Sequence, residues 1–294
     1  MFYRRKIILA LLQAFDGHLP KISLQKLLFL FTERQSKRDY DFVPYKYGCF
    51  SFSASADLVA MVGHDQLSED SVSYTKIGSD NYIKLLNEKD KKILIDIKNS
   101  YGNLTANSLI KLTYLNYQYY SINSIKAKEI LTEEQYQNVL KAKPVNDRTI
   151  LYTIGYEGIS LEEYLNRLIK NDVKVLVDVR SNPLSMKYGF SKKQLKTFCE
   201  NLGIDYLHIP EVGIQSDQRQ ELKTQKDYDS LFEIYKKENL RKTVSQQEQI
   251  LRLLADKKRI ALTCFESNIC QCHRKHLAEA IIKLPEWKFE LKHI

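Results

Sequence analysis

Apolar residues recur at helical spacing through the first half of the chain and gather in short β-rich runs through the second. Ile7, Ile8, Leu11, Leu12 and Phe15 share one helical face, which predicts a helix over 6–15 that Gly17 ends. Ser23 is expected to cap a second helix striped by Leu24, Leu27, Leu28 and Phe31. A polar stretch at 34–41 and a turn at 44–51 lead to a third short helix near 54–62, and 71–76 alternates like a strand. Three helices and then a β element is the order of a winged helix. Residues 81–140 read as three more helices. Ile83, Leu85, Leu86, Ile93, Leu94 and Ile97 form one buried face, and Leu109, Leu112, Leu115 and Tyr119 another. Tyr114, Tyr117, Tyr119 and Tyr120 fit a helix–helix core better than an aromatic platform for bases.

The pattern changes abruptly after the Pro-containing segment 141–148. Strands are expected at 149–154, 173–179, 205–209, 259–264 and 288–291, with helices at 160–170, 191–201, 227–237, 244–255 and 272–283. Ser160 with Glu163 has the form of a capping box. Strand–helix alternation implies an α/β fold: a three-layer, mainly parallel sheet with helices on both faces. It is preceded by a mainly helical, winged-helix-like region. The expected division is 1–80 winged-helix-like, 81–147 helical extension and linker, and 148–294 α/β domain.

Composition narrows the function classes. At 44% hydrophobic and 28% charged, the chain has a globular balance. No apolar run approaches the ~18 residues of a membrane span, so no membrane partner is expected. Residues 1–6 lack the apolar core and cleavage site of a leader and read as the start of a helix, which makes a cytoplasmic location the expectation. A net charge of +9 favours polyanionic partners, although a lysine-rich solvated surface explains it equally well. Five cysteines, an odd number, argue against a disulfide framework and point to thiol or metal chemistry.

Ligands of open α/β sheets bind beyond the carboxyl ends of the strands, where this sequence concentrates polar residues. Gly155 follows the first strand, and Asp178 and Arg180 end the second. His208 and Glu211 follow the third, with Arg219 farther along that loop; Cys264 and Glu266 end the fourth, leading to Cys270, Cys272, His273 and Arg274. Asp178 is a candidate general base or a structural acceptor for Arg180 or Arg274, and Glu211 is the better candidate acid/base. Arg180 and Arg274 suit a phosphate, with His273, Arg219 and Gly155 as further anion contacts. His208 reads as structural. Cys272 opens a helix, whose dipole is expected to lower its pKa, so a reactive thiolate is one reading. A metal site of Cys264, Cys270, Cys272 and His273 is a second. Its spacing is not a usual zinc pattern and its adjacent ligands are strained, so no metal is assigned. Anion binding through Arg274 and backbone, the preferred reading, is the third.

Two resemblances add to this. Gln25-Lys26-Leu27-Leu28 and Tyr45-Lys46-Tyr47-Gly48 resemble Panacea-type antitoxin and phage-associated domains over about the first 80 residues, with Cys49 where those domains commonly carry Pro. Residues 150 to about 292 resemble the family called domain of unknown function 488. That resemblance rests on Thr153–Gly158, Leu176–Arg180 with Pro183 and Ser185, Phe190–Lys192, Gly203–Gly213, Cys264–Glu266 and Cys272–Arg274. It implies an α/β fold and a common pocket of Asp178, Arg180, Glu211, Cys264, Glu266, Cys272, His273 and Arg274.

The leading expectation is a nucleic-acid-associated protein in a phage-defence, stress or regulatory setting. Its α/β domain would bind, and in the stronger form process, a nucleotide or nucleic-acid phosphate. Glu211 or Asp178 would move protons, Glu266 would assist and Cys272 could attack, while the N-terminal domain binds DNA or a partner. A non-catalytic DNA-binding regulator or small-ligand sensor is the rival. A thiol redox protein using Cys270 and Cys272 is the third class. Nucleic acid and nucleotide-like molecules are the expected partners, a homodimer is allowed, and the cofactor is unknown.

Overall fold

A computed structural model describes residues 1–215, 222 and 224–294, and the chain folds as two units, Met1–Lys143 and Pro144–Ile294. The first contains α1 (Tyr3–Ala14), β1 (His18–Pro20), α2 (Lys21–Thr32), β2 (Val43–Tyr45), β3 (Gly48–Phe50), α3 (Phe52–Gly63), β4 (Leu67–Glu69) and β5 (Ser73–Lys76). Then follow α4 (Glu88–Tyr101), α5 (Ala106–Asn116), α6 (Ala127–Ile130) and α7 (Glu133–Lys141). Strands β1, β5 and β4 form an antiparallel sheet in that order, and β2 and β3 a separate hairpin.

Helices α1 and α2 are central because they are apolar nearly all round: Ile7–Leu12 and Leu24–Phe31 are buried. Leu94, Ile97 and Leu109 of α4 and α5 lie in the same core, so the helices after residue 80 pack with those before it. Ser23 is not a cap. Pro20, with φ −57° and ψ 142°, is the N-cap three residues earlier and leaves Ser23 buried inside α2. Tyr114 is fully buried, and Tyr117 and Tyr120 each meet Phe29 edge-on at 4.8 Å, which places the tyrosines in the core. Gln25 and Lys26 hold the chain after β2. The Gln25 amide exchanges hydrogen bonds with the Ser51 backbone, and Lys26 Nζ donates to the Cys49 carbonyl at 2.9 Å.

Lys26 is 2% exposed and, among the described residues, pairs with no carboxylate. Burial lowers its pKa, against the smaller raising effect of the Cys49 thiol beside it. Between that lowered value and the ~10.4 of an unfolded lysine, the unfolded chain holds the extra proton. Stability therefore gains from Lys26 as pH rises through that window, while below it the penalty of the buried charge is constant. The expected result is that the stability of wild type minus that of Lys26→Met rises with pH there, measured by urea unfolding followed by circular dichroism. A difference that does not change with pH would contradict it.

The second unit alternates strands with helices, two of them in the step from β8 to β9: β6 (Ile150–Gly155), α8 (Leu161–Lys170), β7 (Val175–Asp178), α9 (Lys192–Asn201), β8 (Asp205–His208), α10 (Gln225–Ile234), α11 (Val244–Lys257), β9 (Arg259–Cys264), α12 (His273–Ile282) and β10 (Glu290–His293). Ser160 caps α8, its hydroxyl accepting the Glu163 N–H at 3.0 Å. The five strands are all parallel, in the order β10-β6-β9-β7-β8. Alternate residues face opposite layers. Leu151, Val175, Val177, Ile260 and Leu262 pack with α10, α11 and α12. On the other face, the Tyr164 hydroxyl of α8 donates to Thr263 Oγ1 at 2.8 Å.

This order creates a switch point. The chain leaving β6 turns to one face as α8, and the chain leaving its neighbour β9 turns to the other as α12. Ligands of such sheets bind beyond the carboxyl ends at a switch point, and here Gly155 pairs in register with Cys264. Among the described residues no helix is long and apolar enough to cross a membrane.

Candidate functional site

Three features meet at the carboxyl edge of the sheet. The first is a buried ionic brace at the end of β7. Asp178 is fully buried, and its two oxygens accept from Arg180 Nε at 2.8 Å and Nη2 at 2.5 Å. The Arg180 backbone N–H and the Tyr206 hydroxyl also donate to it, at 3.1 and 2.6 Å. Arg180 Nη1 reaches the Tyr156 hydroxyl and the Phe190 carbonyl at 2.8 and 2.9 Å. Burial opposes the Arg180 charge, but the hydrogen bonds and charge of Asp178 outweigh it and raise its pKa. His208 extends the brace. Its Nε2 donates to the Arg180 carbonyl at 2.8 Å, which leaves Nδ1 to accept from Lys192 Nζ at 2.9 Å. Asp178 is thus an acceptor with every direction occupied, and Arg180 spends its guanidinium inside the fold.

The second feature is a cluster at the end of β9 and the start of α12. Cys264, Cys272 and His273 are buried, with donor atoms within 4.8 Å of one another. Cys264 Sγ is 3.6 Å from His273 Nδ1, and its thiol donates to Glu266 Oε2 at 3.1 Å. His273 Nε2 lies 3.0 Å from the Val179 carbonyl, so it carries the proton and turns the Nδ1 lone pair toward Cys264. The expected lowering of the Cys272 pKa is reversed. Burial, followed by the hydrogen bond and charge of Cys264, pushes it well above the ordinary thiol value. The helix N-terminus loses to the desolvation of a group with no exposure. Cys270 stands outside the cluster, exposed, with Sγ 3.9 Å from Lys275 Nζ.

Arg274, on the first turn of α12, is 2% exposed. It donates from Nη1 to the Glu266 carbonyl at 2.5 Å and, at 3.4 Å, from Nη2 to that of Ser267. Among the described residues no carboxylate pairs with it, and its buried Nε has no acceptor. Gly155 is explained by packing rather than by a ligand, because a Cβ there would lie 2.0 Å from the Glu266 carbonyl oxygen.

The third feature is a pocket of about 320 Å³, lined by Tyr156, Arg180, Ser181, Asn182, Leu184, Ser185, Ile214, Cys264 and Phe265. Tyr156 and Phe190 stack at 4.2 Å behind it, and Phe265 meets Tyr156 edge-on at 5.3 Å. Leu184 and Phe265 are exposed on its walls, as is Met186 in the same loop. The Lys187 ammonium donates to the Tyr156 carbonyl at 2.7 Å, and burial lowers its pKa.

The structure brings Arg180 and Cys264 to the pocket wall, with Asp178 behind Arg180 and Glu266, Cys272 and His273 around Cys264. Glu211 is not among them. It is exposed on the turn after β8, an edge strand, and does not line the pocket. Arg219 lies outside the described residues. Sequence reasoning did not single out Tyr206 as the partner of Asp178, nor Asn182 and Phe265 as pocket walls. The loop after β7 was the available signal, since it faces the crevice.

Neither the curated proteins nor the solved structures contain a match to this chain. The family model described as Domain of unknown function DUF488 matches residues 160–281, from the cap of α8 to the last turn of α12. The second unit is thus similar to that family over residues 160–281, which include Asp178, Arg180, Tyr206, Cys264, Cys272 and His273, with Gly155 and Tyr156 just before them.

Proposed function

We propose that the α/β unit binds a nucleotide or a nucleic-acid phosphate in the pocket at the switch point between β6 and β9, and that the N-terminal unit is a partner or DNA module. The observation that carries this reading is the makeup of that pocket. Asn182 and Ser185 line it as polar residues, Arg180 adds a fixed positive charge to its wall, and its rim is the half-exposed ring of Phe265. A phosphate suits donors in such a crevice, and a base suits an exposed aromatic face. The brace holds the loop after β7 in place, so those donors are preorganised. The position of Cys264 at the wall leaves room for chemistry on the bound group.

For the N-terminal unit, the helix–strand order and the β1-β5-β4 sheet support a winged-helix reading. Helix α3 would enter the major groove in that arrangement, yet it carries no Lys or Arg. That favours the partner form over direct DNA contact.

The test is fluorescence titration of the full chain with a labelled nucleoside diphosphate and with a short single-stranded oligonucleotide, at low and rising salt. Binding is expected at low salt and should weaken as salt rises. Phe265→Ala is expected to cost about 1–3 kcal/mol through lost stacking. Absence of binding to either probe at low salt would overturn the reading.

A further inference from the structure

We propose that Cys264, Cys272 and His273 bind one zinc ion at the base of this pocket. The inference rests on the same site as the function proposed above, but on different observations. Zinc–sulfur bonds of about 2.3 Å and zinc–nitrogen bonds of about 2.0–2.1 Å, at tetrahedral angles, set sulfur and nitrogen ligands about 3.5 Å apart. Cys264 Sγ and His273 Nδ1 are 3.6 Å apart. Cys272 Sγ lies in the same buried cluster, which makes three donors, as in zinc sites that keep an open fourth position.

The second ring nitrogen is also arranged for a metal. His273 Nε2 donates to the Val179 carbonyl at 3.0 Å, which holds Nδ1 unprotonated and aimed at Cys264. This backbone contact is the usual outer partner of a ligating histidine. Adjacent ligands are accommodated because the backbone changes at that point. Cys272 is extended, with φ −127° and ψ 132°, and His273 begins α12. The turn lets both side chains converge.

Zinc entering the cluster would displace the two thiol protons to solvent, so the net charge of the cluster is the same with and without the ion. The exposed Cys270 plays no part.

The experiment loads the full chain with zinc, dialyses it and measures metal by inductively coupled plasma mass spectrometry. Cobalt titration of the chelator-treated wild type is read by thiolate-to-cobalt charge-transfer absorption. One equivalent of zinc and that absorption are expected in wild type and in Cys270→Ser. Cys272→Ser and His273→Ala are expected to bind at least ~10–100-fold more weakly, the scale set by loss of even an outer partner. The cobalt titration of wild type needs no variant to fold. A wild type without metal or thiolate absorption overturns the inference, as does loss of metal in Cys270→Ser. Metal is read with no nucleotide present, so a metal-free chain leaves the phosphate-binding reading standing. A zinc-loaded chain that binds no nucleotide at low salt fails that reading and leaves the zinc site.

Discussion

Asp178→Ala is expected to destabilise the C-terminal unit by about 3–5 kcal/mol, the cost of stranding a buried charge when its partner is removed. The stranded group is Arg180, 5% exposed, whose Nε and Nη2 both lose their acceptor. The Tyr206 hydroxyl loses its acceptor as well. Trp287, the single tryptophan, packs against the core of this unit, so its fluorescence in urea follows the relevant transition. Arg180→Ala should cost a similar amount by leaving the Asp178 carboxylate buried alone. The double variant should cost clearly less than the two single losses together, because neither charge is then stranded. Additive losses would mean that the pair is not a unit. An Asp178→Ala protein of wild-type stability would remove the brace from the interpretation and return Asp178 to the candidate bases.

Gly155→Ala is the second large effect. An added Cβ would lie 2.0 Å from the Glu266 carbonyl oxygen and 3.1 Å from Arg274 Nη2. The first is backbone and cannot rotate away, so the turn after β9 must move. That turn is tied to the end of β6 by Tyr156 and Glu157 N–H bonds to the Phe265 carbonyl, at 3.1 and 2.9 Å. The loss is expected to reach or exceed the ~1–3 kcal/mol typical of overpacking, read by Trp287 fluorescence in urea. Phe265 and the end of β9 at Cys264 shift with the turn, so zinc and nucleotide binding should both fall. Gly158→Ala serves as a comparison, since no atom lies within 4 Å of a Cβ there, although its φ of +77° carries its own cost. A Gly155→Ala chain with wild-type stability and binding would contradict the close approach of the two strand ends.

Much of the C-terminal unit was legible because each element states itself locally. Val175–Asp178 is a short apolar, β-branched run, and Ser160 stands one residue before a helical stripe. The pairing of Asp178 with Arg180 was also within reach, since residues two apart in extended backbone share a side. Strand order was not legible. Alternation shows that the sheet is parallel but not that β8 lies at its edge, and that position carries Glu211 away from the crevice. Gly155 likewise needs the register with Cys264 before its packing role can be seen. For Cys272 the helix N-terminus was visible in the sequence but the burial was not, and burial dominates. The ligand set narrowed for a related reason. Spacing placed Cys270 with the other cysteines, whereas its side chain is exposed and the remaining three donors are buried together.

The most direct test of the switch-point crevice as the functional site is hydrogen exchange by mass spectrometry on the full chain, with and without saturating nucleoside diphosphate. Exchange is expected to slow at residues 181–185 and 264–266, the two segments that wall the pocket, with little change in residues 1–143. Protection confined to residues 1–143, or unchanged exchange at 181–185 and 264–266 in a chain shown to bind the probe, would contradict it.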